Sequence, residues 1–339
     1  LLAVSAGAVI AACANVETTD VAEDAVETAT AEIEETVEEV TEVVEASAPE
    51  LCLDAGPQTP RDISSVVGLN TVAFPKAPPS TSMNLCNIHT HTNAEHKGPG
   101  FSVFVDASDN GGYACNETAD LTAEELAPAA GAYTGVVPGQ TIEVHWVHTT
   151  CDAAPGEGLG ACVPEGCTDP LLRVEAQTFL VVNDENALDF TEMAAVVEEK
   201  GGFYQAGMIP ADTGTPVTFP GSTTGPSYTQ AVCSPAQVTW NVRPMCAKLD
   251  INSLHKWASE GNVFNETASH CVRQLVTAPE LLSPIQSAAK PSILPAQPKI
   301  KKPPPTSAPA LSFQSCRPLH FISLPPPPSP PHPHLFHPT

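Results

Sequence analysis

The chain has few basic residues and few motifs that bind structural metals. Only 14 of its 339 residues are Lys or Arg, against 39 Asp or Glu, and the formal net charge is −25. This charge would repel phosphates, which disfavours nucleic-acid binding. None of the 11 cysteines forms a Cys-x-x-Cys pair, which argues against a structural zinc knuckle. The apolar run at residues 1–10 is too short to span a bilayer.

That apolar run has the character of a secretory signal without its initiating Met and basic flank. Ile10-Ala11-Ala12-Cys13 is similar to a bacterial lipobox, in which the cysteine is acylated after cleavage. The alternative is an ordinary signal in which Cys13 has no role. We therefore predict a signal-like segment at residues 1–13 with lipidation, and hence membrane attachment, at Cys13. The protein is expected to be exported, as a periplasmic or outer-membrane lipoprotein or in secreted form.

Two compositionally biased segments flank a domain-sized block. Between Glu17 and Glu50 lie 13 carboxylates and no Lys or Arg, so residues 14–50 are predicted to be a disordered acidic tether. Of the 36 prolines, 17 fall within residues 284–339, and residues 283–339 are predicted to be a disordered, proline-rich tail. The remaining residues, 51–282, are predicted to form one folded domain.

The domain contains nine cysteines downstream of a signal-like segment, a combination that indicates disulfides formed in an oxidising compartment. Three of them, Cys151, Cys162 and Cys167, lie in or beside a glycine-rich loop. Pairing within this group is the expected pattern. Because nine is an odd number, at least one cysteine is left over.

Short runs rich in β-branched and aromatic residues, bounded by turn-forming residues, predict a mostly β fold around a twisted sheet. The clearest predicted strands cover residues 141–148, 173–182 and 237–242. Few helices are expected. The candidates cover residues 121–130, 189–199 and 251–260.

His89 and His91 are two residues apart in a segment without a helical apolar stripe. On a strand, side chains at i and i+2 point to the same face, so this pair could chelate one metal ion. On a helix the two rings would point to nearly opposite sides. The competing interpretation is a surface or structural histidine pair.

A second predicted strand carries Glu143, His145 and Val147 on one face and His148 on the other. His145 could be a third metal ligand, and Glu143 could accept the ring N–H of a ligand and fix its tautomer. Three neutral imidazoles with an open fourth position are typical of a catalytic zinc site. A half-buried amphipathic strand with core histidines remains the alternative.

Taken together, these motifs resemble those of the carbonic anhydrases. In order along the chain they are His89 and His91, the pair Glu95-His96, the segment 143–148, the loop 220–224, Cys233 and the strand 238–240. The stretches 87–97 and 143–151 are most similar to the δ class. The resemblance covers roughly Cys52 to Cys271, and it implies one domain with a largely antiparallel central sheet of the α-carbonic-anhydrase type.

The resemblance implies reversible hydration of carbon dioxide to bicarbonate. A Zn²⁺ ion on His89, His91 and His145, with Co²⁺ or Cd²⁺ as substitutes, would activate water to attack the substrate. Thr224, or its neighbour Thr223, would orient the attacking hydroxide and pass its own proton to Glu95. The expected apolar substrate wall, which could equally be plain strand core, consists of Val147, Val182, Val238 and Trp240.

A different function must be weighed against the enzyme. The same histidines could serve a secreted or lipid-anchored protein that binds zinc without turnover. Simple chelation needs neither Glu95 nor Thr224, whereas orientation of a hydroxide needs both, so their presence favours the enzyme.

Overall fold

The computed structural model describes residues 50–285 except 54, 107–109, 199–200, 224 and 226. Cys13, the acidic tether up to residue 49 and the tail from residue 286 onward lie outside the described residues, as does Thr224. Within the described part of the chain, no helix is long and apolar enough to cross a membrane.

Strands outnumber helices in this domain. The described residues contain ten strands: β1 Asn84–Thr92, β2 Val103–Phe104, β3 Tyr113–Ala114, β4 Thr141–Thr149, β5 Leu172–Val182, β6 Val196–Glu198, β7 Tyr204–Ala206, β8 Val217–Ser222, β9 Gln237–Val242 and β10 Ala247–Asp250. The same described part of the chain contains two α-helices, α1 Phe190–Met193 and α2 Ile251–Ser259. Short 3-10 helices cover Ser80–Ser82, Asn116–Asp120, Leu159–Cys162 and Pro279–Leu281. The prediction of a mostly β fold is confirmed.

Six of the strands form one mixed sheet in the order β1-β4-β5-β9-β8, with β10 beside β5. The pairs β1/β4, β4/β5 and β8/β9 are antiparallel, whereas β9 and β10 both run parallel to β5. The expected largely antiparallel sheet is therefore mixed at β5. This long strand can hold two parallel partners because β9 pairs with its first half and β10 with its second half.

Strand β4 is buried along its whole length and has two chemically different faces. Ile142, Val144 and Trp146 face an apolar core that also includes Leu254 and Trp257 of α2. Alternation places Glu143, His145 and Val147 on the opposite face. Because both faces are buried, the polar side chains on the second face must find partners inside the protein.

The helix predictions met three different outcomes. The helix predicted at residues 251–260 is confirmed as α2, and Asp250 caps it by accepting the N–H of Asn252 at 3.1 Å. The segment 189–199 begins as expected, with Asp189 accepting the N–H of Thr191 at 2.7 Å. The helix ends at Met193, and the chain then continues as strand β6.

The helix predicted at residues 121–130 is wrong, because this segment forms turns. Thr122 and Glu125 do exchange the reciprocal hydrogen bonds typical of a helix start, at 2.8 and 3.2 Å. Pro128 follows within one turn, however, and proline cannot donate the hydrogen bond that would continue a helix.

Four disulfides join distant parts of the domain. They are Cys52–Cys233, Cys86–Cys162, Cys115–Cys246 and Cys151–Cys167. The expected pairing within the loop group is confirmed for Cys151 and Cys167, whereas Cys162 reaches Cys86 because the 3-10 helix that ends at Cys162 packs on β1. Four disulfides are consistent with an exported protein.

Candidate metal centre

Three imidazole rings meet on the buried polar face of β1 and β4. In the antiparallel register His89 lies opposite His145, and His91 lies opposite Glu143. The ring centroids of His89, His91 and His145 are 4.8 to 5.1 Å apart. At most 7% of each residue is exposed. The strand parity that the sequence predicts therefore brings all three rings to one point.

Hydrogen bonds define which nitrogen of His89 and His145 is protonated. His89 Nδ1–H donates to Asn87 Oδ1 at 2.7 Å, and the Asn87 amide is oriented by its donation to the Gly156 carbonyl at 3.1 Å. His145 Nε2–H donates to Glu143 Oε1 at 3.1 Å. The two remaining nitrogens, His89 Nε2 and His145 Nδ1, face each other at 3.2 Å with lone pairs only.

His91 presents its free nitrogen in the same way. Its Nδ1–H donates to the Cys271 carbonyl at 3.1 Å, while its Nε2 is buried and has no hydrogen-bond partner among the residues that the structure describes. A buried nitrogen without a partner is costly in a folded protein, and it calls for a donor or a cation.

The donor set fits a divalent metal ion. One ligand atom from each of the three histidines lies within 4.8 Å of the others. Two nitrogens bound tetrahedrally to one Zn²⁺ ion lie about 3.4 Å apart, which matches the separation of His89 Nε2 and His145 Nδ1. Burial lowers the pKa of His91 to about 4 and holds the pKa of His89 well below its ordinary value, with neighbouring histidines adding to the effect for His89. Both rings are thus neutral at physiological pH, as metal ligands must be.

Glu143 is shared between two histidines. Besides His145, its carboxylate accepts the backbone N–H and the Nδ1–H of His96, at 3.1 and 2.8 Å. Burial alone would raise the pKa of Glu143, but the attraction of His96 and the hydrogen bonds from both rings outweigh it and hold the pKa well below its usual range. The carboxylate is therefore charged. It bonds the Nε2 side of the His145 ring, so the Nδ1 of His145 faces His89.

Glu95 lies beside the histidine cluster and is almost completely buried. Its Oε1 accepts the backbone N–H of Arg273 at 3.0 Å and lies 3.6 Å from His91 Nδ1. The predicted catalytic carboxylate is therefore close to the three histidines and is held by the backbone of a distant segment.

The second predicted catalytic residue follows β8. Pro220, Gly221 and Ser222 form the end of that strand, and Thr224 lies outside the described residues. Its rival Thr223 pairs through its backbone N–H with the Ala236 carbonyl at 2.8 Å, and its hydroxyl lies 2.9 Å from Ser234 Oγ. The hydroxyl of Thr223 is thus engaged in joining two parts of the loop.

Three of the four predicted wall residues come together. Val147, Val238 and Trp240 belong to one buried apolar cluster, and the Trp240 ring centroid lies 5.0 Å from that of His145. Val182 packs in a different cluster. Ala176 is the residue of β5 that lies opposite His145, and Val182 follows it by six positions, which corresponds to about 20 Å along the strand. The structure does not bring Val182 to this group.

Sequence reasoning missed several residues of the centre. Asn87 could have been found, because it precedes His89 by two positions on the same face of the strand. Val174 lies between Val147 on β4 and Trp240 on β9, and only the sheet register identifies it. No local signal marks the Cys271 carbonyl, which lies 180 residues from His91.

A mostly β domain with a buried cluster of three imidazoles could hold a metal ion at this point. The family model of the delta carbonic anhydrases matches residues 80–253, just over half of the chain, and the chain belongs to this family. It is therefore a carbonic anhydrase, an enzyme that acts on carbon dioxide and bicarbonate.

Two further comparisons complete this result. The solved complex of the α-carbonic anhydrase from Thermovibrio ammonificans with the inhibitor sulfanilamide is 17% identical to this chain. The match covers 63% of this chain and 83% of that one, with a TM-score of 0.22, and at these values the likeness carries no functional inference. No curated protein matches the chain in sequence.

Proposed function

We propose that this chain hydrates carbon dioxide reversibly with a Zn²⁺ ion held by His89 Nε2, His91 Nε2 and His145 Nδ1. The observation that carries the proposal is the protonation pattern of the three rings. Each ring donates its N–H to an acceptor outside the cluster, so that three lone pairs converge on one buried point. Without a cation, this arrangement sets lone pair against lone pair at 3.2 Å.

When bound, a Zn²⁺ ion would supply Lewis acidity that makes water more acidic, and carbonic anhydrase is the standard example of this effect. The protein keeps the three ligands in their binding tautomers. Asn87 Oδ1, the Cys271 carbonyl and Glu143 each accept one ring N–H and so exclude the alternative tautomer. Burial lowers the pKa of His89 and His91 and keeps these two rings neutral.

Glu95 and Thr224 are proposed to orient the nucleophile. A threonine hydroxyl that donates its proton to a buried carboxylate must itself act as an acceptor towards the attacking group, which fixes the direction of the nucleophile's lone pair. Glu95 is suited to receive that proton because it is buried, close to His91 and immobilised by the backbone N–H of Arg273. Thr223 is less suited because its hydroxyl contacts Ser234.

The apolar wall is proposed to hold the substrate. Carbon dioxide has no charge and no hydrogen-bond donor, so a dry apolar surface next to the metal binds it better than a polar one. Val147, Val174, Val238 and Trp240 form such a surface, and the ring of Trp240 reaches the ligand His145.

The ligand type leaves the metal open to replacement. Imidazole nitrogens suit several divalent ions, so Co²⁺ or Cd²⁺ is proposed to occupy the same three nitrogens. Zn²⁺ remains our proposal for the native ion because a buried, rigid three-histidine set with an open position is typical of catalytic zinc.

We also propose that the domain is exported and is either secreted or anchored in a membrane through a lipidated Cys13. The four disulfides support export, and the small residues before Cys13 support acylation. Labelling of the mature protein with a radioactive fatty acid tests the anchor, and a Cys13→Ala variant should lose the label. Equal labelling of both proteins would contradict it.

Metal analysis combined with stopped-flow carbon dioxide hydration tests the catalytic proposal. The full chain should contain one zinc ion, lose its hydration activity in a strong chelator, and regain it when zinc is added back. A chain that hydrates carbon dioxide at an unchanged rate after its metal has been removed would contradict the proposal.

A further inference from the structure

Arg273 is a buried arginine whose contacts converge on the catalytic residues. Only 1% of its surface is exposed, and its guanidinium donates to three backbone carbonyls. The acceptors are Tyr228 at 3.0 Å, Thr229 at 2.8 Å and Thr59 at 2.6 Å. Burial lowers the pKa of Arg273 to about 10, so the side chain remains charged at neutral pH. A buried charge with three charge-assisted hydrogen bonds is a strong local constraint.

Two of those carbonyls belong to the segment that follows the Thr224 position. The Tyr228 N–H in turn donates to the Gly225 carbonyl at 3.0 Å. The guanidinium also lies 5.7 Å from the centre of the Tyr228 ring. Arg273 thus contacts both the backbone and the side chain of Tyr228.

The backbone around Arg273 contacts the other half of the site. The backbone N–H of Arg273 donates to Glu95 Oε1 at 3.0 Å. Two residues earlier in the chain, the Cys271 carbonyl accepts the ring Nδ1–H of His91. The segment 271–273 therefore contacts a proposed metal ligand, the proposed catalytic carboxylate and the backbone of Tyr228 and Thr229.

We infer that Arg273 is a positioning residue, which holds Glu95 and the backbone of Tyr228 and Thr229 in one fixed arrangement. This inference rests on the proposed roles of Glu95 and Thr224. The hydroxyl and the carboxylate come from segments that are far apart in sequence, so their relative position depends on a contact that joins both. A shift of about 1 Å between catalytic groups is enough to slow a reaction by roughly a hundredfold.

The chain offers a matched control in Arg61. This arginine is also fully buried, its pKa is likewise lowered to about 10 by burial, and it too donates to backbone carbonyls. Its acceptors include Ser65 at 2.8 Å, Val67 at 2.9 Å and Ser283. None of these acceptors belongs to the catalytic segments. Replacing either arginine by lysine keeps the charge but loses the planar fork that reaches several carbonyls.

The experiment compares Arg273→Lys with Arg61→Lys in the full chain. Both variants should lose thermal stability. Only Arg273→Lys should lower kcat, by about tenfold, with zinc content and KM unchanged, since neither the ligands nor the apolar wall is altered. Amides in residues 225–232 should exchange hydrogen about tenfold faster in Arg273→Lys than in the parent, and at the parent rate in Arg61→Lys. If Arg273→Lys does not fold, Arg273→Gln is measured in the same way.

The two readouts separate this inference from the proposed function. Unchanged amide exchange in residues 225–232, or equal loss of kcat in both variants, would overturn the positioning role whatever the activity of the parent. Faster exchange confined to Arg273→Lys in a chain that does not hydrate carbon dioxide would support the positioning role, and the proposed function would then be the part that fails.

Discussion

His89 and His145 face each other across neighbouring strands, with His89 Nε2 and His145 Nδ1 only 3.2 Å apart. Both nitrogens carry lone pairs, because Asn87 and Glu143 take up the N–H groups on the other side of each ring. Two lone pairs at this distance repel in a buried site. This pair is therefore the part of the fold that most needs a bound cation.

Removal of one ligand should abolish metal binding and turnover together. In His145→Ala two imidazoles remain, and they should hold zinc far more weakly than three, so zinc content and hydration rate are expected to fall in parallel. Metal analysis and stopped-flow hydration of the same samples measure both. His148→Asn is the control on the same strand, since His148 donates to the Trp146 carbonyl. An equal loss of zinc from His148→Asn would argue against the assignment of His145 as a metal ligand.

The Asn87 amide should set zinc affinity without touching zinc. Asn87→Leu keeps the size of the side chain but removes the acceptor of the His89 N–H, and the expected loss of zinc affinity is about 10- to 100-fold. Competition with a chromophoric chelator measures it. Asn84 is the matched control on β1, because its side chain bonds Cys151 and Tyr204. Asn84→Leu should lower stability and keep the zinc affinity of the parent. Equal zinc affinities in Asn87→Leu and Asn84→Leu would contradict the proposed role of Asn87.

The threonine loop should affect chemistry and leave metal binding intact. Thr224→Ala keeps all three ligands and Glu143, so zinc should stay bound while hydration slows by roughly a hundredfold, the effect typical of losing one oriented hydrogen bond in a transition state. Thr223→Ala, which removes the hydroxyl near Ser234 together with the neighbouring methyl group, should keep a nearly parental rate. If both variants turn over at the parent rate, the proposed role of this loop is wrong. If only Thr223→Ala slows hydration, the role proposed for Thr224 belongs to Thr223.

The buried His148 should make the fold sensitive to acid. Burial lowers the pKa of His148 from 6.5 to about 4, so between these pH values the unfolded chain binds a proton that the folded chain does not. The free energy of unfolding is therefore unaffected by protonation of His148 above pH 6.5. It falls by up to about 3 kcal/mol as the pH is lowered to about 4. Urea unfolding at pH 5 and 7 in excess chelator measures it. His148→Asn should show a smaller difference between the two pH values than the parent, and equal differences would refute the prediction.

Local patterns in the sequence predict the strands and the ligand face well. The predicted strand 237–242 coincides with β9, and the predicted runs 141–148 and 173–182 fall one residue short of β4 and β5. The reason is that alternation along a strand fixes which side chains share a face, whatever the partner strand is. This is how His89, His91, Glu143 and His145 could be grouped before their register was known.

Features that depend on long-range pairing could not be read in the same way. The Cys271 carbonyl and the Arg273 contacts arise from a segment without regular structure, and nothing in its sequence indicates what it touches. The error at Val182 has a similar origin. Valine is common in any buried strand, and only the register of β5 against β4 shows that Val182 lies beyond the cluster.

The most direct test of the metal centre is a zinc titration of the chelator-treated full chain, with hydration followed at each step. The parent should gain activity in proportion to bound zinc and reach a plateau at one ion per chain, whereas His145→Ala should gain little at the same zinc concentrations. Activity that is complete before zinc is added, or one tightly bound zinc ion without any hydration, would contradict the proposal that these three histidines hold the catalytic ion.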